Sequence, residues 1–403
     1  MSKEILDTLI TPSDTKIIFF IIDGLGGLPM EGRGGSELEV ANLPNLDQLA
    51  AQSACGLLEP VGAGISPGSG PAHLALFGYD PIKYSIGRGV LSALGIDFEL
   101  KPGDVAARAN FATMDREGRV IDRRAGRISD TTNQQLCQRL KKEVFLGPDI
   151  QWFFEPEKEH RAAFVLRGEG LSSEISDTDP QKTPFPPKEP KALESNADKA
   201  ARLVKEFLAQ AQKTLQDEEK ANMILLRGFA QYHPIPSMSE RFGLKAVAIA
   251  NYPMYRGLAR LVGMDILPPC PDIAGEIAAL AQNYEKSYNF FFIHIKEADT
   301  KGEDGNFAGK IKVLEDVDRF IPQVLALRPD VLVVTGDHST PSVLASHSWH
   351  PVPVILHSKY ARVDKVDKFD EISCLAGSLG QQPMVNLLPL ALAHSLKLIK
   401  YGA

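Results

Sequence analysis

Lys16-Ile-Ile-Phe-Phe-Ile-Ile-Asp23-Gly-Leu-Gly-Gly27 is an unbroken apolar run that ends in an acid followed by glycines. A continuous run of β-branched and aromatic residues, with no polar alternation, marks a strand covered on both faces of a parallel sheet. A carboxylate at the end of such a strand sits at the edge where open α/β sheets bind their ligands. The pattern recurs twice. Tyr288 to Ile295 (YNFFFIHI) leads into a polar loop with Asp299, Glu303 and Asp304, and Val331 to Val334 leads into Thr-Gly-Asp337-His-Ser-Thr-Pro341.

Between these runs lie helical patterns at 45–54, 272–285 and 307–327, with further strand patterns at 222–226, 246–249 and 352–356. Alternating strands and helices predict right-handed crossovers and a doubly wound α/β sheet. The middle of the chain differs: short strand-like pieces at 108–111 and 163–166, many arginines, and five prolines (Pro180, Pro184, Pro186, Pro187, Pro190) in 171–195 that predict a long irregular loop. An amphipathic helix over 196–219 leads back. The acid-ended strands flank this region, so the expected organisation is one discontinuous domain, 1–95 and 216–403, with a smaller α+β domain inserted at 96–215.

The 403 residues hold 44 Lys and Arg against 51 Asp and Glu, a formal charge of −7, which argues against a nucleic-acid or anionic-membrane partner. Apolar residues at 44% and charged residues at 24% are ordinary for a soluble globular chain. No apolar run nears the roughly 18 residues of a membrane span, and MSKEILDTLITPSD lacks the basic start and apolar core of a leader. Cys55, Cys137, Cys270 and Cys374 stand singly, without a CxxC pair, so neither a zinc knuckle nor a disulfide framework is expected and a cytoplasmic setting is.

The residues that bear chemistry gather after the strands. Asp23 heads a Gly-rich turn that lets a metal or phosphate approach the backbone, although an ordinary Asp-Gly turn after a strand is the commoner explanation for that residue alone, and GLGGLP fails the dinucleotide spacing GxGxxG. Asp337 and His338, with His347 and His350 close behind, form a set of borderline-to-hard metal ligands. Asp299 and Glu303, four apart, place two carboxylates on one side of a turn, or else belong to a solvated charge run. In Gly64-Ile-Ser-Pro-Gly-Ser69-Gly-Pro-Ala-His73, Pro71 suits a first helical turn, so Ser69 stands at a helix start whose free N–H groups and positive dipole end favour a phosphate. An ordinary N-cap is the alternative for Ser69, and helix packing the alternative for His73. Arg88, Arg108, Arg116, Arg119, Arg123, Arg124 and Arg127 stand against a single Lys101 in that stretch, and Arg preferred over Lys suits bidentate binding of a small anion.

Together, IIDGLGG, PGSGPAHLALFGYDP, GRGVLSALG (87–95), FELKPGDVAARANFAT (98–113), DRRAGR (122–127), LRGEGLS (166–172), DTDP (177–180), LLRG (225–228), KEADTKGEDG, TGDHSTP, HSWHPVP and the tail SLGQQPMVNLLPLAL closely resemble the archaeal-type cofactor-independent phosphoglycerate mutases of the alkaline phosphatase superfamily. The likeness runs the whole chain. It implies an alkaline phosphatase-like metal domain with an inserted substrate domain, interconverting 3-phosphoglycerate and 2-phosphoglycerate through a phosphoserine. It also implies Ser69 as nucleophile, with Asp23, Ser69, Asp337 and His338 holding one divalent metal ion and Asp299, Glu303 and His347 the other, preferably Mn²⁺ or Mg²⁺, with Zn²⁺ or Co²⁺ possible. Arg88, Arg124 and Arg127, ahead of Arg108 and Arg167, and His73 are the implied contacts to the anionic substrate. One departure stands out: the family pattern Asp-x-x-Gly-His is here Asp299-Thr-Lys-Gly-Glu303, which predicts a preference shifted away from Zn²⁺. Competing readings are a related metal-dependent kinase or phosphatase of a small hydroxy acid, such as the homoserine kinase-like relatives, and a non-catalytic binder of an anionic metabolite.

Overall fold

In a computed structural model, which describes residues 3–84 and 86–402, the chain divides into two compact units, Met1–Ser85 with Pro236–Ala403, and Ile86–Ile235. The strands, in chain order, are β1 (Ile17–Ile22), β2 (Ala54–Glu59), β3 (Val105–Met114), β4 (Val120–Asp122), β5 (Gln151–Pro156), β6 (Arg161–Arg167), β7 (Met223–Gln231), β8 (Ala246–Ala250), β9 (Asp265–Ile266), β10 (Phe290–Ile295), β11 (Val331–Thr335), β12 (Val352–Ser358) and β13 (Gly380–Pro383).

The first unit is an α/β fold around an eight-stranded sheet in the order β13-β2-β12-β11-β1-β10-β8-β9. β12 alone runs against the other strands. Every side chain of β1, β10 and β11 is buried, which is why these stretches read as continuous apolar runs. Each large side chain enclosed there is worth roughly 1.5–3 kcal/mol of transfer free energy, and a charge at Phe20 would find no partner on either face. The register sets Ile22 opposite Ile295 and Ile21 opposite Thr335, so the chain leaves all three strands at one edge. β1 lies between β10 and β11; the chain passes from β1 to β2, beyond β11 and β12, and from β10 across β1 to β11, so the loops that follow β1, β10 and β11 meet at the carboxyl ends.

Two expected elements differ. The helix expected at 45–54 ends at Ala50, and Ala54–Glu59 is instead strand β2; ACGLLE carries no β-branched residue, so its sequence gave no strand signal. The expected helix 307–327 is two helices, Phe307–Asp318 and Ile321–Ala326, because Pro322 has no N–H to continue the first and suits the opening turn of the second. No helix among the described residues is long and apolar enough to cross a membrane.

The second unit is α+β. Its five-stranded sheet has the order β4-β3-β6-β5 with β7 along the other side of β3, all antiparallel. Helices Asp130–Glu143 and Asp198–Thr214 cover it through Leu136, Leu140, Val204 and Phe207, which pack with Phe111, Phe154 and Phe164. The boundaries expected at 95/96 and 215/216 fall at 85/86 and 235/236. Two elements account for the shift: β7 pairs along β3, and helix Arg88–Gly95 lies so close to β3 that a Cβ on Gly89 would come 2.2 Å from the Ala106 carbonyl oxygen. The proline-rich stretch 171–195 is irregular but tied down: Thr178 N donates to Leu226 O, and Asp177 Oδ1 accepts from Gly228 N.

Candidate metal centre

The carboxyl ends of β1, β10 and β11 bring together residues far apart in sequence. Asp23 follows β1, Asp299 lies in helix Glu297–Glu303 just after β10, and Asp337 and His338 follow β11. Two groups of ligand atoms result, Asp23, Asp337 and His338, and Asp299, His338 and His347, with the atoms of each group within 4.8 Å of one another. All but His347 are buried.

Each aspartate of the first group has one oxygen tied to the protein and one left over. Asp337 Oδ1 accepts from Gly24 N at 3.2 Å, while its Oδ2 lies 3.1 Å from His338 Nε2. Asp23 Oδ2 accepts from the Tyr255 hydroxyl at 2.5 Å and faces Lys296 Nζ at 3.1 Å, while its Oδ1 lies 3.4 Å from His338 Nε2. Asp23 Oδ1 and Asp337 Oδ2 are buried without a hydrogen-bond partner. An unsatisfied buried acceptor costs on the order of 1–3 kcal/mol, and two carboxylate oxygens converging with an imidazole nitrogen are the donor set a divalent cation satisfies.

In the second group, His347 Nδ1 donates to the Pro67 carbonyl at 2.9 Å. A carbonyl only accepts, so Nε2 carries the lone pair; it faces Asp299 Oδ1 at 3.6 Å and Glu303 Oε1 at 3.7 Å. Glu303 is exposed and lies at the rim, outside both buried groups. The His338 and His347 rings stack with centroids 3.7 Å apart.

Burial, reinforced by Asp337, holds the Asp23 carboxyl well above the usual carboxylate range. Burial likewise pushes Asp337 up to about 7. Burial, then His347, holds His338 well below the usual imidazole range. Burial opposes the charge on Lys296, but Asp23 and Asp299, which it contacts together, outweigh that and raise it. These carboxyls are crowded and dry, a field that favours cations.

Ser69 opens helix Ser69–Leu76, with Pro71 in its first turn, and its Oγ lies 3.4 Å from His338 Nε2. His73, expected among the substrate contacts, is instead fully buried under the site. Its Nδ1 donates to the Ser69 carbonyl at 2.9 Å, its ring packs on Tyr255 and His294, and burial lowers it to about 4, so it is neutral and positions the serine turn. His350 stacks on Trp349 and bonds Ser348, and His357 bonds Ser53.

In the second unit, Arg123 and Arg167 make bidentate bonds to the buried Asp179 and Asp104, and Arg119 pairs with Asp115. Arg124 and Arg127 are exposed. The buried His160 feels their charge and that of Arg161 and Arg108: burial, then Arg161, Arg108, Arg124 and Arg127, bring its imidazole down to about 4. Arg88 is the exposed first residue of helix Arg88–Gly95.

A Thermus thermophilus protein called probable 2,3-bisphosphoglycerate-independent phosphoglycerate mutase is 49% identical over 402 residues, 99% of both chains. This chain belongs to that family. An Aquifex aeolicus relative with the same designation is 49% identical over 408 residues, 99% of this chain and 100% of its own. The family's profile matches residues 50–221. Among solved structures, a Pyrococcus horikoshii protein superposes with a TM-score of 0.83 at 28% identity, covering 96% of this chain and 99% of its own. The cofactor-independent phosphoglycerate mutase of Thermoplasma acidophilum gives 0.70 at 30%, covering 94% and 100%.

Sequence reasoning missed Tyr255, Lys296, Thr340 and Lys310, all of which hold this mutase-family site together. Lys296 and Thr340 lie inside the motifs KEADTKGEDG and TGDHSTP, but a lysine beside acids reads as a charge run and a threonine before proline as a turn. Tyr255 and Lys310 sit in helices with no local signal.

Proposed function

We propose that the chain interconverts 3-phosphoglycerate and 2-phosphoglycerate by passing the phosphoryl group through Ser69. What carries this reading is the placement of the Ser69 hydroxyl at a helix start, 3.4 Å from His338 Nε2 and so beside the carboxylates with orphaned oxygens. Asp23, Ser69, Asp337 and His338 would hold one divalent cation, and Asp299, His347 and Glu303 the other, with Mn²⁺ or Mg²⁺ the ions best matched to so many carboxylates. When bound, such cations lower the pKa of the serine hydroxyl and stabilise charge on the phosphoryl oxygens.

The chain's own residues do the rest. Ser69 Oγ gives up its proton and attacks phosphorus in line, the bond from phosphorus to the glycerate oxygen breaks, and that oxygen takes up a proton. The free N–H groups at the start of helix Ser69–Leu76 donate to the phosphoryl oxygens of the phosphoserine. Arg124 and Arg127, with Arg88, hold the glycerate carboxylate while it turns, and its other hydroxyl then gives up its proton and attacks the phosphoserine phosphorus, breaking the bond to Ser69 Oγ, which takes a proton back. Holding the intermediate away from water prevents its hydrolysis. A cytoplasmic setting belongs to the same reading, supported by four cysteines that are all free.

The test is conversion of 3-phosphoglycerate to 2-phosphoglycerate with added Mn²⁺ and without ATP or 2,3-bisphosphoglycerate. Turnover supports the reading. Silence in that assay, with ATP-dependent phosphorylation of an amino alcohol, overturns it in favour of a kinase.

A further inference from the structure

The two groups of ligands share one hydroxyl. Thr340 Oγ1 donates to Asp299 Oδ1 at 2.6 Å. A hydroxyl has a single proton, so toward His338 Nδ1, 3.0 Å away, the same oxygen accepts. His338 Nδ1 therefore carries the ring hydrogen, and Nε2 turns its lone pair toward Asp23 Oδ1 and Asp337 Oδ2 at 3.4 and 3.1 Å. One side chain thus orients a carboxylate of the second group and fixes the tautomer of the imidazole common to both, whose Nε2 faces the first.

The backbone is shaped to keep it there. Thr340 N donates to Gly26 O at 3.0 Å, and Thr340 O accepts from the fully buried Lys310 Nζ at 2.9 Å. Lys310 also donates to Gly26 O at 2.9 Å, joining the turn after Asp23 to the turn after His338. Two glycines leave the room this requires: a Cβ on Gly24 would come 2.7 Å from Thr340 Oγ1, and one on Gly302 would come 2.3 Å from Thr340 O. Those glycines stand next to the expected ligands Asp23 and Glu303.

Resting on the two-cation reading above, we propose that Thr340 is a positioning residue whose hydroxyl couples the two cation sites, so that filling one raises the affinity of the other. With the Asp299 carboxylate held in place, Thr340 Oγ1 keeps donating to its Oδ1 and stays turned to accept from His338 Nδ1. That keeps His338 Nε2 free and aimed at Asp23 and Asp337. By linkage the coupling has the same size in either order of filling.

The experiment is a Mn²⁺ titration of the metal-stripped chain, read by the electron paramagnetic resonance of free Mn²⁺ and by calorimetry, for the unchanged chain and for Thr340→Val, Thr340→Ser and Thr340→Ala. The unchanged chain and Thr340→Ser are expected to bind two ions, with the second at least about fivefold tighter than independent sites allow. Thr340→Val and Thr340→Ala are expected to lose that cooperativity and to weaken both sites by about tenfold. The Ser/Ala pair differs only in the hydroxyl and decides the matter should the valine fail to fold. A role in packing alone would lower the thermal midpoint of the stripped protein and leave the isotherm unchanged, which overturns the proposal. Weakening of one site only, or a Thr340→Ser isotherm matching that of Thr340→Ala, overturns it as well. Two ions bound independently by the unchanged chain refute the coupling alone, whereas failure to bind two ions refutes the two-cation reading with it.

Discussion

Nε2 of His338 faces the hydroxyl of Ser69 at 3.4 Å across 269 residues of chain. The contact brings the start of a helix to the end of β11, and it places the candidate nucleophile against an imidazole nitrogen that also faces two buried carboxylates. Ser69→Ala is therefore expected to abolish mutase turnover while leaving Mn²⁺ affinity within about tenfold, since three of the four proposed ligands at that site remain. Steady-state turnover and a Mn²⁺ titration on the same preparation check it, and undiminished turnover would refute the phosphoserine route.

Glu303 Oε1 lies 3.7 Å from His347 Nε2, close enough for both to reach one ion. A carboxylate is a harder ligand than imidazole, so Glu303→His is expected to shift preference from Mn²⁺ toward Zn²⁺ by roughly tenfold or more. Competition between the two ions for the stripped protein, measured by mass spectrometry of the bound metal, gives the ratio. An unchanged ratio would place Glu303 outside the site.

Arg124 and Arg127 are exposed, whereas Arg123 is bound to the buried Asp179. Arg124→Ala or Arg127→Ala is expected to raise KM for phosphoglycerate by about tenfold or more, the value of a charge-assisted hydrogen bond, with little change in urea stability. Arg123→Ala should do the reverse. It leaves Asp179 with Arg227 as its remaining cation partner, at 3.3 Å, and is expected to cost about 2 kcal/mol in urea unfolding. A KM effect of equal size from Arg123→Ala would contradict this division.

Glu276 is buried in helix Ile273–Tyr284, and burial, then Glu297 and Asp272, push its carboxyl up to about 8. A folded pKa above the unfolded one means the protonated form is favoured in the fold. Its contribution is fully present below about pH 4.5 and is lost as pH rises toward 8. Glu276→Gln, which keeps the neutral amide at every pH, is expected to match the parent near pH 4.5 and to exceed it at pH 8 by on the order of 3 kcal/mol. Urea unfolding of the metal-stripped protein at both pH values measures it. Equal stabilities at pH 8 would show that the carboxylate is solvated.

The sheet was legible because β1, β10 and β11 are covered on both faces, so continuous apolar runs ending in acids could be little else. β2 was hidden because ACGLLE looks like the end of the helix before it, and its place between β12 and β13 is a long-range fact. The ligand candidates Asp23, Asp299, Asp337, His338 and His347 could be named from motif and resemblance, and they converge. His73 could not be judged, since its imidazole is defined by Tyr255 and His294, which lie far along the chain. The arginines show the same limit: Arg123 and Arg124 are adjacent in sequence, and only the position of Asp179 separates the one that holds the fold from the one that is exposed.

The phosphoryl group's passage through Ser69 is the central claim, and mass spectrometry of the Mn²⁺-loaded chain, acid-quenched during turnover of 3-phosphoglycerate, tests it most directly. The account predicts a peptide containing Ser69 heavier by one phosphoryl group, absent in Ser69→Ala. Full turnover with no phosphorylated peptide, or with the group on another residue, would contradict it.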